Sequence, residues 1–194
     1  MKRRLKILLT GSAIGLGTYV AAYLILPQHF VPAEFSSARI EGAKLAERIV
    51  TNSGASLANL QAIAEHDRRG RRTEALVLIS QEFTRTKDTQ DAAVKLSARL
   101  EAMARSIDSI RPQEARSVAT EAVTSEVALV SRLLSYNELL KELFEVLRQK
   151  FENPTLDTNG RVEELVGKVN EEARAINESN THFTESLAEF DKLY

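Results

Sequence analysis

Residues 7–26 read ILLTGSAIGLGTYVAAYLIL, twenty positions without a charged side chain. As a helix rising about 1.5 Å per residue, such a run spans the roughly 30 Å hydrocarbon core of a bilayer. Lys2, Arg3, Arg4 and Lys6 precede it and Pro27 follows it. A cleaved secretory signal is the competing reading. It pairs a basic start with an apolar region of about 7 to 15 residues and a small-x-small exit. Here the apolar run is longer, and bulky Tyr23, Leu24 and Ile25 stand where the exit belongs. The expectation is an uncleaved, single-pass signal-anchor. Basic residues mark the cytoplasmic flank of such a span. Beyond it the first basic residue is Arg39, and Glu34 precedes that. Residues 1–6 are expected as a cytoplasmic tail, 7–26 as the transmembrane helix, 27–32 as a short linker and 33–194 as an extracytoplasmic body.

Within the span, Gly11 and Gly15 form a GxxxG pair beside Ser12. Small residues at that spacing let two membrane helices approach closely, so Gly11 and Gly15 are candidate helix-packing positions. Pro27 and Pro32 bracket the linker and leave room for little more than an extended stub. The body is therefore expected to start close to the membrane.

The body holds one domain's worth of chain. Of the 26 Lys and Arg, four precede the apolar run, leaving 22 against 27 Asp and Glu. A mildly acidic body argues against nucleic acid as a partner, because phosphate binding needs clustered positive charge. The chain has no Cys, which excludes disulfides, thiolate nucleophiles and cysteine metal ligands together.

Periodicity makes the body all-α. Ile40, Ala43, Leu45, Ile49 and Val50 point to a helix over 33–50, and Leu57, Leu60 and Ile63 to a second over 55–67. Between them Thr51-Asn52-Ser53-Gly54 reads as a break. The alternative is a single helix bent at Gly54. A helix over 73–110 carries the stripe Leu76, Ile79, Phe83, Ala93, Leu96, Leu100, Met103 and Ile107. Thr86 and Gln90 fall on that stripe inside a polar stretch, which bends the helix or faces a polar stretch of a neighbour. A helix over 112–151 runs from Val118 through Leu129, Leu133, Tyr136 and Leu143 to Phe151, small residues first and large ones later. The last helix, 159–193, has a sustained coiled-coil-like seam: Val162, Val166, Val169, Ala173, Ile176, Asn180, Phe183, Leu187, Phe190 and, just beyond it, Tyr194. Short links make these helices antiparallel neighbours. The fold class expected is all-α, a single N-terminal transmembrane helix followed by an elongated antiparallel helical bundle.

Chemistry is sparse. Asn180 on the last seam is a candidate polar residue for fixing register. The dense basic run Arg68, Arg69, Arg71 and Arg72 is flanked by Glu65, Asp67 and Glu74 and reads as a solvated turn. His29, His66 and His182 form no paired ligand motif, and neither His66 nor His182 has Glu three residues before it. No nucleophile elbow, phosphate loop or Gly-rich strand–helix junction is present. The expectation is therefore no enzyme, no cofactor and no metal, with a structural or protein-interaction role in the cell envelope. The partners expected are the lipid bilayer and a homo-oligomer or envelope protein. The alternative is an extracytoplasmic sensory or small-ligand-binding domain working with a partner.

Overall fold

Four amphipathic stripes condense into four helices in the computed structural model, which describes residues 31–192. They are α1, Ala33–Arg68; α2, Arg72–Ser106; α3, Gln113–Glu152; and α4, Asn159–Lys192. Ile107–Ser109 form a 3-10 turn between α2 and α3. Among the described residues there is no strand. At 1.5 Å per residue the helices are about 50 to 60 Å long, so the molecule is a rod. The candidate positions Gly11 and Gly15, and the whole 7–26 run, lie outside the described residues. Among those described, no helix is long and apolar enough to cross a membrane.

The partners of successive residues fix the topology. Glu41 of α1 meets Arg99 of α2, Arg48 meets Asp88, and Ser56 meets Glu82. Residue numbers rise on one helix as they fall on the other, so α1 and α2 are antiparallel. Arg132 with Glu172 and Arg161 with Glu142 set the same relation between α3 and α4. The hairpins α1–α2 and α3–α4 pack more extensively than the α2–α3 pair that joins them. The backbones of α1 and α4 do not pack closely along their length. Side chains bridge them at one end instead. Arg39 donates two 2.9 Å hydrogen bonds to the Asp191 carboxylate and lies 5.9 Å from the centroid of the Phe190 ring. Phe35 packs tilted on that ring at 5.8 Å.

Of the two readings of this stretch, the single helix is the one that forms: α1 is continuous from Ala33 to Arg68, without a break at Thr51–Gly54. The residues that suggested a turn are those facing α2. Ser53 and Ser56 are buried, Asn52 donates to Thr89 Oγ1 at 3.2 Å, and Ser56 donates to Glu82. Gly54 faces open space and interrupts nothing. The true end of α1 is Gly70, at φ +70°. The Gly70 N–H bonds Asp67 O and the Arg71 N–H bonds His66 O, the paired bonds of a Schellman stop. At the other end of the rod, the helix expected to reach residue 110 stops at Ser106. Buried Ile107 and Ile110 then turn inward and close the bundle.

The core fills by complementarity of size. The first turns of α3 bury Ala115, Ala119 and Ala122, and the α3–α4 register brings Phe183, Leu187 and Phe190 of α4 to the same level. On the α1–α2 side Gly42 is buried, and a Cβ built there would lie 3.3 Å from Leu96 Cδ1, so the two backbones approach closely.

Candidate functional site

The polar stretch of α2 faces a polar stretch of α1, and together they build a buried hydrogen-bonded layer. Its hub is Glu82, which has no solvent exposure. The carboxylate accepts from Ser56 Oγ at 2.5 Å, Asn59 Nδ2 at 2.6 Å and Arg85 Nε at 2.9 Å. Thr86 and Thr89 continue the layer, each returning its hydroxyl to a carbonyl of its own helix. Asn137 of α3 donates to Thr86 O at 3.0 Å and carries the layer across the bundle. A buried charge is tolerated where hydrogen bonds replace its water, and Glu82 meets that condition with a cation on one side and neutral donors on the other.

Most of the expected α2 stripe is buried, including Ile79, Thr86, Ala93, Leu96, Leu100 and Met103, but in the first half of the helix it shifts by one position at Leu76, Phe83 and Gln90. Ala75, Ile79, Glu82, Thr86, Thr89, Ala93 and Leu96 are buried, while Leu76 and Phe83 sit at its edge and Gln90 is exposed. On α3 the buried position is Glu126, with Ser125 half-buried. Asn180 is 6% exposed on the α4 seam. The α3–α4 register brings Glu126 to the level of Asn177 and Asn180. Tyr136 is buried beside Asn137, and desolvation pushes its hydroxyl pKa from 10.0 up to about 12.

The basic run at the α1–α2 turn is partly self-neutralised. Arg68 and Arg69 both pair with Glu65, while Arg72 is exposed. Asp67 receives Lys150 from α3 at 2.7 Å, tying the tip of the rod together. His182 is exposed and His66 half-buried. Among the described residues, no three His, Cys, Asp or Glu side chains converge as a metal site.

A groove of about 680 Å³ runs along α3 beside Phe83 of α2. Its floor is Phe83 and Leu139, and its walls are Ser135, Glu138, Lys141, Glu142 and Glu145. Guanidinium groups already sit at its edge. Arg148 bonds Glu145 at 2.5 Å and lies 5.7 Å from the Phe83 ring centroid. Arg161 pairs with Glu142 and, at 2.6 Å, with Glu164. Those bonds raise the Arg161 pKa, and bonds from Lys168 and then Arg161 lower that of Glu164.

Compared with protein-family models, curated proteins and solved structures, the chain gives no match. Fold and surface define a class, an antiparallel four-helix bundle with a polar layer inside and an aromatic-floored groove outside, whose three carboxylates are each paired with a cation.

Proposed function

We propose that this chain is a single-pass membrane protein of the cell envelope whose helical body has a structural or protein-interaction role. In this reading residues 7–26 are the anchor, the N-terminus is cytoplasmic and the body is extracytoplasmic. The observation that carries it is the start of α1. Pro32 is its N-cap and Ala33 its first residue, so only 27–32 separate a rigid rod from the apolar run. A bundle so close to a bilayer stands on the end that holds the α1 start, the α2–α3 link and the α4 finish. Its interior is filled by its own side chains, and its polar layer is bonded to itself, which favours a part that binds through its surface.

The test is protease treatment of intact cells and of spheroplasts. Degradation of the body in spheroplasts while cytoplasmic markers survive supports the orientation. A body protected until the membrane is opened overturns it. Membrane crosslinking of the chain with and without Gly15→Leu tests pairing through Gly11 and Gly15. A dimer lost with the substitution supports that role, and no dimer in either case removes it.

A further inference from the structure

We infer that the tip of the rod, where the α1–α2 turn and the α3–α4 link meet, is a docking surface for an anionic lipid bilayer other than the one that holds residues 7–26. That the bilayer is a second one rests on the anchor reading above; the affinity of the tip for anionic lipid does not. Two turns carry the inference. The first presents Arg68, Arg69, Arg71 and Arg72. Gly70 at φ +70°, with its N–H on Asp67 O and the Arg71 N–H on His66 O, holds them on one ordered turn. Arg68 and Arg69 share the single carboxylate of Glu65. Asp67 is taken by Lys150 of α3, and among the described residues neither Arg71 nor Arg72 is in an ion pair. Against them the turn leaves Glu74, exposed in the first turn of α2. The turn therefore keeps an excess of positive charge.

The second turn is Asn153–Leu156. Lys150, just before it, reaches Asp67 at 2.7 Å, so the two turns stand at the same end of the rod. Leu156 is 46% exposed, and of the large apolar side chains exposed among the described residues it alone lies on a link rather than on a helix. Its N–H bonds Asn153 O at 3.1 Å, and Asn153 Oδ1 accepts both the N–H and the hydroxyl of Thr155. Pro154 has no N–H to satisfy. The turn thus offers an apolar side chain whose polar surroundings are bonded locally, which lowers the cost of entering a headgroup region. The carboxylates beside it are engaged: Glu152 lies 4.0 Å from Arg148, and Asp157 accepts the Asn159 N–H at 3.2 Å.

Charge and apolarity together choose the occupant. Anionic headgroups attract exposed basic residues, and an apolar side chain beside those residues enters the acyl boundary. A soluble polyanion or an acidic peptide would engage the arginines and leave Leu156 idle. Distance excludes the anchoring bilayer. The 36 residues of α1 are about 54 Å of helix, which separates the tip from the end nearest residues 7–26. Charges screened over about 10 Å do not act across it.

The test holds the full chain in nanodiscs of neutral phosphatidylcholine, with empty discs as the blank. The probes are vesicles of phosphatidylcholine alone, or with one third phosphatidylglycerol, and the readout is co-flotation. Capture of the anionic vesicles and not the neutral ones is expected. Arg68→Gln/Arg69→Gln/Arg71→Gln/Arg72→Gln should weaken capture roughly tenfold or more, and Leu156→Ser about threefold or more. Arg99→Gln/Arg105→Gln/Lys141→Gln/Lys168→Gln removes the same charge from exposed positions along the rod and should leave capture unchanged. Equal loss in both quadruple variants, equal capture of neutral vesicles, or no capture overturns the proposal. Undiminished capture by Leu156→Ser overturns the bilayer as occupant and leaves a polyanion in its place. Circular dichroism of each variant checks that the bundle is intact. A chain that the discs do not retain fails the anchor reading and is floated directly with the same vesicles, so that failure is distinguishable from a retained chain that captures nothing.

Discussion

Glu82 is the position where replacing one side chain should cost the most for the fewest atoms. Glu82→Ala leaves the donors of Ser56 and Asn59 facing a gap and separates Arg85 from its anion. A buried donor without an acceptor costs about 1–3 kcal/mol, and breaking a buried ion pair by removing one partner costs about 3–5 kcal/mol. Arg85 is 28% exposed and regains some water, so the expected total is near the lower end, about 3–4 kcal/mol. For a body of this size that is a fall in melting temperature on the order of 10 °C. Glu82→Gln keeps the volume and one acceptor oxygen and should cost about 1–2 kcal/mol. The network itself is read from a double-mutant cycle of Ser56→Ala with Glu82→Gln, by urea unfolding followed by circular dichroism. Residues bonded at 2.5 Å should show a coupling above about 0.5 kcal/mol. Additivity within that margin, or a Glu82→Ala variant as stable as the parent, refutes the account of a bonded carboxylate hub.

Gly54→Ala should stabilise the chain by about 0.5–1 kcal/mol, because the site is mid-helix and its Cβ meets nothing within 4 Å; a loss of stability in urea unfolding would restore the turn. Tyr136 stays neutral in the folded chain to about pH 12 but ionises near the ordinary phenol value of 10.0 when unfolded. Its contribution, full below pH 10, is therefore lost between pH 10 and 12, by about 2–3 kcal/mol in all; a Tyr136→Phe variant with the same alkaline slope contradicts this. Asp191→Asn removes the charge that holds Arg39 and should cost about 3 kcal/mol or less, given some water access. Hydrogen exchange should rise first at the start of α1 and the end of α4, and a uniform rise along the rod contradicts the clamp.

The helix pattern of α3 and α4 was legible because large apolar residues recur there without competition. All but one of the expected α4 seam positions among the described residues are buried, the exception being Val166, which yields to Leu165 one position away. In the first half of α2 two stripes compete one residue apart, Leu76–Phe83–Gln90 and Ala75–Glu82–Thr89, while the rest of the expected stripe, from Ala93 through Met103, is buried. Apolar content favours the first. The second wins because α1 offers Ser56 and Asn59 to the Glu82 carboxylate, which no local pattern on α2 reveals. The ambiguity at Thr51–Gly54, between a turn and a continuous helix, has the same origin. Asn, Ser and Gly are turn residues when their side chains serve their own backbone; here Asn52 and Ser56 serve α2 instead. The groove was not legible at all, since Phe83 and Leu139 meet only through the α2–α3 register.

The two long-range ion pairs at opposite ends of the rod differ in what they join. Lys150–Asp67 ties α1 to α3 at the tip, next to the Gly70 stop. Arg39–Asp191 ties α1 to α4 at the end from which the chain runs back toward residues 7–26, across the one pair of neighbours whose backbones do not pack closely. A pull on Pro32 acts on the first turns of α1. The side chains there that reach α4 are Phe35 and Arg39, less than two turns inside the helix. Both land on consecutive residues of α4, Phe190 and Asp191. A force entering at the α1 start is thus shared with the last turn of α4 before it reaches the Gly42–Leu96 contact or the Glu82 layer. If residues 7–26 anchor the chain, this clamp makes the two-helix end, rather than α1 alone, the mechanical foot of the bundle.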